Sequence, residues 1–119
     1  MHAVWQLYWR LPGRPDFFRN HAQYDQIVRD VQGYPRQAEG RATIRGVAVY
    51  WICGSSNAYT ITLVTSDRGH FGKAGYLYSD GPIVRKTGDA YSDVEAPGDL
   101  WMLGEQVAPN WWTVMNNLN

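Results

Sequence analysis

The sequence predicts an α+β fold: a single twisted antiparallel β-sheet of about six or seven strands, with one N-terminal helix packed across one face. Three observations predict it. One segment near the amino terminus repeats apolar residues with a helical period, most other apolar runs are β-branched or alternate with period two, and short turn-forming segments separate them. Successive strands joined by short turns pair antiparallel, and the helix must bury its apolar stripe against them.

The helix is predicted from Asp16 to Val31, after an N-terminal strand. Residues 2–11 alternate between two faces, which is typical of a half-buried strand. The period then changes to three and four, and this spacing draws one stripe along a helix. Asp16 is placed to cap its amino end and Gly33 to close its other end. The predicted stripe consists of Phe17, His21, Tyr24, Val28 and Val31.

The remaining strands are predicted in pairs. Residues 34–41 are polar and indicate a connection, and the runs 43–53 and 59–66 are β-branched and aromatic. The runs are joined by Gly-Ser-Ser-Asn, residues 54–57, which predicts a hairpin with a loop of four or five residues. A tyrosine-rich strand is predicted to return over residues 75–80. Residues 100–107 and 111–116 are predicted to form the last pair.

The length and composition of the chain indicate which class of protein it belongs to. The 119 residues predict one domain, residues 1–119, and 45% hydrophobic with 18% charged residues is typical of a folded globule. Aromatic residues are abundant at 14%, with six Trp and eight Tyr. Either a heavily aromatic core or an adhesive surface explains that excess.

The charge argues against nucleic acid or a membrane as partner. The formal net charge is +0, so neither anionic surface attracts the chain at long range. The charge is nevertheless uneven: residues 1–60 carry seven Arg and four acidic residues, whereas residues 61–119 carry four basic and seven acidic residues. An acidic C-terminal half is one candidate surface for a cationic ligand or a protein partner.

The compartment is expected to be the cytoplasm. Cys53 is the single cysteine, so no intrachain disulfide is possible, and its place in an apolar strand indicates a small buried side chain. No apolar run reaches the ~20 residues of a membrane span, and the first residues lack the pattern of a signal peptide.

The turn between the central strands, residues 67–75, concentrates reactive side chains. Asp67 and His70 are candidates for an orienting carboxylate and a general base, and Arg68 and Lys73 are candidates for holding an anion. The glycines match neither a Walker loop nor a dinucleotide fingerprint, so we expect no cofactor. The three histidines lack metal-ligand spacing, so we expect no metal. A solvated hairpin loop explains the same residues.

Aromatic residues provide a second candidate site. Tyr76 and Tyr78 lie on one face of their strand, with Asp80 at its end, and they are predicted to form one wall of a polar-aromatic pocket. Tyr24 on the helix is a candidate for the same pocket. His21 shares its stripe and is either a core histidine or a general base.

Tryptophans are candidates for a contact surface. Trp111 and Trp112 are consecutive in a predicted strand and must face opposite ways, and Trp112 is a candidate for contacting a ligand. With Trp51 and Trp101, one of them is predicted to form an exposed apolar patch and thereby a homodimer interface.

Three functions fit these features. The first is a non-enzymatic binding module for a small aromatic or cationic ligand, or for a protein partner, with an aromatic-lined pocket or patch. The second is a small hydrolase or lyase that uses a His-Asp acid/base pair, with His21 or His70, in a cleft between helix and sheet. The third is an adaptor or immunity-type protein that acts through its acidic C-terminal half.

Overall fold

The computed structural model describes residues 13–35, 38–54, 56–67, 72–89 and 91–116. These residues form one helix and a six-stranded antiparallel sheet, so the predicted α+β fold is confirmed. The strand predicted over residues 2–11 lies outside the described residues. The elements are α1 (Gly13–Gln32), β1 (Glu39–Ile44), β2 (Val47–Cys53), β3 (Tyr59–Asp67), β4 (Lys73–Ser79), β5 (Met102–Ala108) and β6 (Trp111–Asn116).

The helix starts earlier than predicted. It begins at Gly13, so the prediction that Asp16 caps it is wrong, and Asp16 instead lies in the first turn. A carboxylate in that turn still interacts favourably with the helix dipole. At the other end, the helix ends at Gln32, next to Gly33 as predicted, and the Gly33 N–H donates to the carbonyl of Arg29 at 3.0 Å.

The apolar stripe of α1 faces the sheet. His21, at the edge of the stripe, is only half-buried. The helix therefore contributes a continuous apolar face with a polar flank along one side. Its buried members are Phe17, Tyr24, Ile27, Val28 and Val31.

The strand order is β1-β2-β3-β4-β6-β5, and all neighbouring strands are antiparallel. The first four strands form successive hairpins, whereas β6 is inserted between β4 and β5. Cys53 pairs with Tyr59 across the predicted hairpin, so its loop spans residues 54–58 and has the predicted length. The pairs β3–β4 and β5–β6 were also predicted and are confirmed.

The single strand predicted over residues 43–53 is wrong, because the chain reverses within it. Ile44 pairs with Val47 across a two-residue turn in which Arg45 and Gly46 have φ of 52° and 81°. Positive φ at both central residues is the signature of a type I′ turn, which fits the twist of a hairpin. The last residues of the predicted polar connection, residues 39–41, therefore belong to β1.

Contacts with the helix hold this turn. Arg45 Nε lies 2.9 Å from Asp30 Oδ2, and the Arg45 carbonyl accepts a hydrogen bond from the Gln23 side chain at 3.2 Å. Arginine adopts positive φ rarely, so pattern alone favoured a continuous strand. The tertiary contacts with α1 explain why the turn forms here.

The core between α1 and the sheet is strongly aromatic. It contains Tyr76 from β4 and Trp111 from β6, and Tyr59 and Tyr78 pack against it while remaining partly exposed. Of the 13 aromatic residues in the described ranges, five are buried in this core and two more pack against it. Its buried members are Phe17, Tyr24, Ile27, Val28, Val31, Ile44, Val49, Trp51, Ile61, Leu63, Tyr76, Val107 and Trp111.

The connection over residues 80–101, hereafter the covering segment, lies across the other face of the sheet. Val94 and Trp101 from this segment pack with Leu77 and Val114 from the sheet. Gly98 lies so close to the Tyr50 ring that a Cβ there would come within 2.8 Å of two ring carbons. Both faces of the central strands are therefore buried, one by a helix and one by irregular chain.

The β5–β6 turn is tied to the end of β4. Asn110 has a φ of 70° and follows Pro109, which matches a type II turn. Its side-chain amide donates to the Ser79 carbonyl at 2.8 Å, and the Ser79 N–H donates to the Asn110 carbonyl at 2.9 Å. These bonds fix Tyr78, next to Ser79, relative to β6.

The substitution Gly75→Ala tests how closely the backbones of β3 and β4 approach each other. A Cβ at Gly75 would overlap the carbonyl oxygen of Leu63, which is backbone and cannot rotate away. We expect Gly75→Ala to lower the free energy of unfolding by about 1–3 kcal/mol, the range of overpacking substitutions. Urea unfolding measures the change. Gly81→Ala is the matched control, because a Cβ there meets no atom within 4 Å; equal losses in both variants would contradict the expectation.

Candidate functional site

Four tilted aromatic rings pack together between α1 and the sheet. The Tyr24 and Tyr76 ring centroids are 5.2 Å apart, Phe17 lies 5.2 Å from Tyr76, and Phe17 lies 5.4 Å from Trp111. Tyr24 and Tyr76 are only 4% and 1% exposed. Tyr24 and Tyr76 were predicted to line a pocket, but in this structure they fill the interior and present almost no surface to a ligand.

The buried phenol of Tyr24 is satisfied by a carboxylate. Its hydroxyl donates to Asp16 Oδ2 at 3.1 Å, and the Asn20 amide donates to Asp16 Oδ1 at 3.0 Å. Burial and then the adjacent Asp16 charge raise the pKa of Tyr24 well above its usual value. Burial, with the charge of ionised Tyr24 second, likewise raises the pKa of Tyr76. Both phenols are therefore neutral structural groups at physiological pH.

Tyr78 lies where this core meets solvent. Its hydroxyl donates to Asp80 Oδ1 at 2.5 Å, and Asp80 Oδ2 accepts from the Tyr59 N–H at 2.9 Å. Burial, followed by the hydrogen bond and charge of Asp80, raises the pKa of Tyr78 to about 12. Trp111 packs edge-on against the Tyr78 ring with centroids 5.3 Å apart. One half-exposed ring is thus fixed in place by a carboxylate and a buried indole.

The polar flank of α1 carries a histidine–carboxylate pair. His21 Nε2 lies 3.1 Å from Asp25 Oδ2, and these side chains are 44% and 35% exposed. Asp25 acts electrostatically on Tyr78, and the Gln32 side chain hydrogen-bonds to the Tyr78 phenol. We name the surface around Tyr78 the helix–sheet rim and define it as Tyr59, Tyr78, Asp80 and Asp25.

The predicted site in the 67–75 turn is only partly described. Arg68 and His70 lie outside the described residues. Lys73 Nζ lies 3.2 Å from Asp99 Oδ2 in the covering segment, and the hydrogen bond to Asp99 raises the pKa of Lys73. Asp67 is exposed at the end of β3 and pairs with Lys73 across the ladder. The Lys73 ammonium is therefore engaged by a carboxylate of the protein.

The tryptophans divide between the two faces. Trp112 is half-buried and packs with the covering segment, on the face of the sheet opposite Tyr24, Tyr76 and Tyr78. Trp51, Trp101 and Trp111 are 5%, 1% and 2% exposed. The exposed tryptophan patch predicted from these residues is wrong, because packing against α1 and the covering segment buries them.

The acidic residues of the covering segment are mostly engaged within the protein. Asp93 lies 3.8 Å from Arg85, Asp89 lies 3.8 Å from Lys86, and Asp99 bonds Lys73. The Leu103 N–H also donates to Asp93 at 2.7 Å. These carboxylates stabilise the path of the covering segment, so less of their charge is available to a partner.

Other features of the described residues stand apart from the rim. No three His, Cys, Asp or Glu side chains converge as a metal site within the part of the chain described. Over the same residues, no helix has both the length and the apolar character of a membrane span. A shallow groove of about 310 Å³ runs along the β1–β2 hairpin, and its lining contains none of the predicted site residues. The groove is lined by Arg41, Ala42, Thr43, Ala48, Val49 and Tyr50.

Sequence reasoning missed two residues of the rim. Asp25 follows His21 by four positions on a predicted helix, a spacing that brings side chains together, so a signal was present. Tyr59 was recognised only as a strand residue. Its place beside Asp80 depends on the β3–β4 register, which the turn composition does not specify.

Comparisons with protein-family models, with curated proteins and with solved structures found no match to this chain. Function therefore has to be argued from the site.

Alkaline unfolding tests the buried phenols. Because folding raises the pKa of Tyr24, the unfolded state loses its proton first, and stability should fall as the pH rises above about 10, the ordinary tyrosine value. We expect Tyr24→Phe to flatten that fall, while costing about 1 kcal/mol at pH 7 through the lost hydrogen bond to Asp16. Urea midpoints from pH 7 to pH 11 measure both effects.

Tyr91→Phe is the control for this experiment, because Tyr91 is 52% exposed. It should leave the pH dependence unchanged. Identical slopes for wild type and Tyr24→Phe would show that the Tyr24 phenol does not contribute to alkaline unfolding.

Proposed function

We propose that the protein is a non-enzymatic binding domain whose contact surface is the helix–sheet rim. The observation that carries the proposal is the Tyr78 side chain, which is half-buried, hydrogen-bonded through its hydroxyl to Asp80, and packed against Trp111. A tyrosine with a fixed orientation offers a large contact area at low entropic cost. Such residues are typical of binding hot spots.

The rim differs from the rest of the aromatic cluster in its accessibility. Tyr24, Tyr76 and Trp111 are buried and support the surface from beneath. Tyr59 and Tyr78 pack against that core and keep part of their rings exposed. A ligand at the rim therefore meets aromatic side chains whose positions are set before binding, which lowers the cost of ordering them.

The geometry favours binding over the hydrolase or lyase. The His21–Asp25 pair supplies a histidine and a carboxylate in contact, but both lie on an exposed helix flank and are separated by one helical turn. Such surface pairs are common and contribute little. Acid/base catalysis gains its strength where water is excluded, and water reaches both of these groups.

Ligand-observed mapping tests the proposal. We expect titration with p-cresol, indole and tyramine to shift amide and indole resonances in ¹H–¹⁵N spectra at Tyr59, Tyr78, Asp80 and Trp111. Tyr78→Ala should remove these shifts, because it deletes the exposed ring and leaves the buried cluster beneath it. Affinities follow from the concentration dependence.

Tyr91→Ala is the matched control, since it deletes an exposed tyrosine from the covering segment. It should leave the shifts intact. Shifts that map to another surface, or that persist in Tyr78→Ala, would rule out the rim as the binding surface.

A further inference from the structure

We propose that the outer edge of β1 pairs with β1 of a second copy of this chain, in an antiparallel arrangement centred on Gly40. The proposed contact lies outside the helix–sheet rim and does not rest on the proposed function. Its basis is a regular strand edge whose backbone groups point outward and whose charged side chains complement those of an identical strand.

The strand β1 forms one edge of the described sheet, with β2 as its neighbour. Its six residues pair with consecutive residues of β2, from Glu39 with Ile52 to Ile44 with Val47, and no bulge interrupts the register. A regular edge presents a row of N–H and C=O groups to which another strand can bond.

One hydrogen bond shows which residues of β1 point outward. The Cys53 N–H donates to the Ala38 carbonyl at 2.8 Å, so Ala38 directs its carbonyl toward β2. In an antiparallel ladder, residues that bond the neighbouring strand alternate with residues that point the other way. Glu39, Arg41 and Thr43 therefore direct their backbone groups outward, and all three residues are exposed.

The opposite edge of the described sheet is shaped differently. The strand β5 loses register at two places along its pairing with β6. At one of them the Glu105 N–H donates to the Thr113 hydroxyl at 3.0 Å. Irregularities of this kind twist an edge and hinder pairing with a further strand, as do proline and lysine. The β1 segment, EGRATI, contains neither residue, so its edge lacks these protections.

The side chains of β1 are complementary to themselves. Glu39 and Arg41 are two positions apart and share one face of the strand. Neither takes part in an ion pair among the described residues. In a pairing centred on Gly40, Glu39 lies opposite the partner's Arg41, and two-fold symmetry repeats this contact. Opposite charges directly across two strands stabilise their pairing, so a second copy suits this edge.

Both faces of the sheet leave room for the partner strand. On the face of the charged side chains, Gly98 of the covering segment contacts Tyr50, and the groove that includes Arg41 lies open beside it. On the other face, a Cβ at Gly40 would come within 2.3 Å of the Trp51 ring. Gly40 thus brings no side chain to the symmetry axis, and the two backbones can approach closely.

The size of the contact sets the expected affinity. Two pairs of facing residues give about four backbone hydrogen bonds, together with two charge pairs. Contacts this small belong to weak complexes, so we expect a dimer with a dissociation constant on the order of 100 µM. Sedimentation equilibrium between about 10 µM and about 1 mM protein measures it.

Two charge reversals test the arrangement. Glu39→Arg and Arg41→Glu each place like charges opposite one another at both contacts, so the dissociation constant of either variant should rise at least about tenfold. An equal mixture of the two variants restores opposite charges at both contacts, and it should form a heterodimer with about the affinity of the wild type. Glu95→Arg is the matched control, because it makes the same change of charge at an exposed residue of the covering segment. It should leave the affinity unchanged.

Hydrogen exchange of the wild-type protein tests the same edge without a substitution. The amides of Glu39 and Arg41 should exchange fast in dilute solution and slowly at about 1 mM, where the partner strand binds them. The amides of Gly40 and Ala42 bond β2 and should be protected at both concentrations.

Several results would overturn the proposal. They are a wild-type chain that stays monomeric at about 1 mM, a dimer that keeps its affinity in both single variants, and a mixture of the variants that stays monomeric. If the chain is monomeric but an added peptide of alternating Glu and Thr protects the Arg41 amide, the edge accepts a strand of another protein and not a second copy. None of these results bears on binding at the rim.

Discussion

The contact of the α1 aromatic stripe with β4 and β6 is the interaction on which the rest of the structure depends. Phe17 and Tyr24 pack against Tyr76 and Trp111, so one cluster joins the helix to two neighbouring central strands. Aromatic side chains each bury a large area, and paired rings add about 0.5–1.5 kcal/mol beyond that burial. The position of the helix, and with it of Asp25 relative to Tyr78, follows from this cluster.

The face of the sheet opposite α1 is buried in a different way, by the covering segment. The described residues of the covering segment form no helix or strand beyond isolated bridges, so side-chain contacts and a few backbone hydrogen bonds specify its path. Asp93 and Asp99 each combine an ion pair with a hydrogen bond from a backbone N–H. The acidic character of this region is therefore largely structural. The role of the acidic half as a surface for a partner stays a prediction.

Local pattern predicted most of the fold, and tertiary contacts explain the failures. The spacing of hydrophobic residues predicted α1 and the β-hairpins, because each element buries one face. The reversal at Arg45 was missed because its positive φ depends on Asp30 and Gln23, contacts that exist only after the helix has packed. The early start of α1 similarly displaced Asp16 from a cap to a partner of Tyr24.

Only those contacts of the candidate site that join residues close together in the sequence could be predicted. Tyr78 and Asp80 are two positions apart, and His21 and Asp25 four, so each pair can be recognised in the sequence. The meeting of Tyr78 with Trp111 requires the strand order, and that of Tyr59 with Asp80 requires the register. Whether a tyrosine is buried or at a rim depends on helix placement, which explains why Tyr24 and Tyr76 were grouped with Tyr78.

The insertion of β6 between β4 and β5 has a consequence for synthesis of the chain. The strands β1 to β4 can pair as soon as they are made, but the partner of β4 is the last strand of the described sheet. Until residue 116 has been added, the β4 edge, with its three consecutive apolar residues Tyr76, Leu77 and Tyr78, lacks that partner. Unpaired apolar edges are the usual starting points for aggregation. A nascent chain stalled before β6 is therefore expected to be a substrate for chaperones, whereas the completed chain buries the same edge within its sheet.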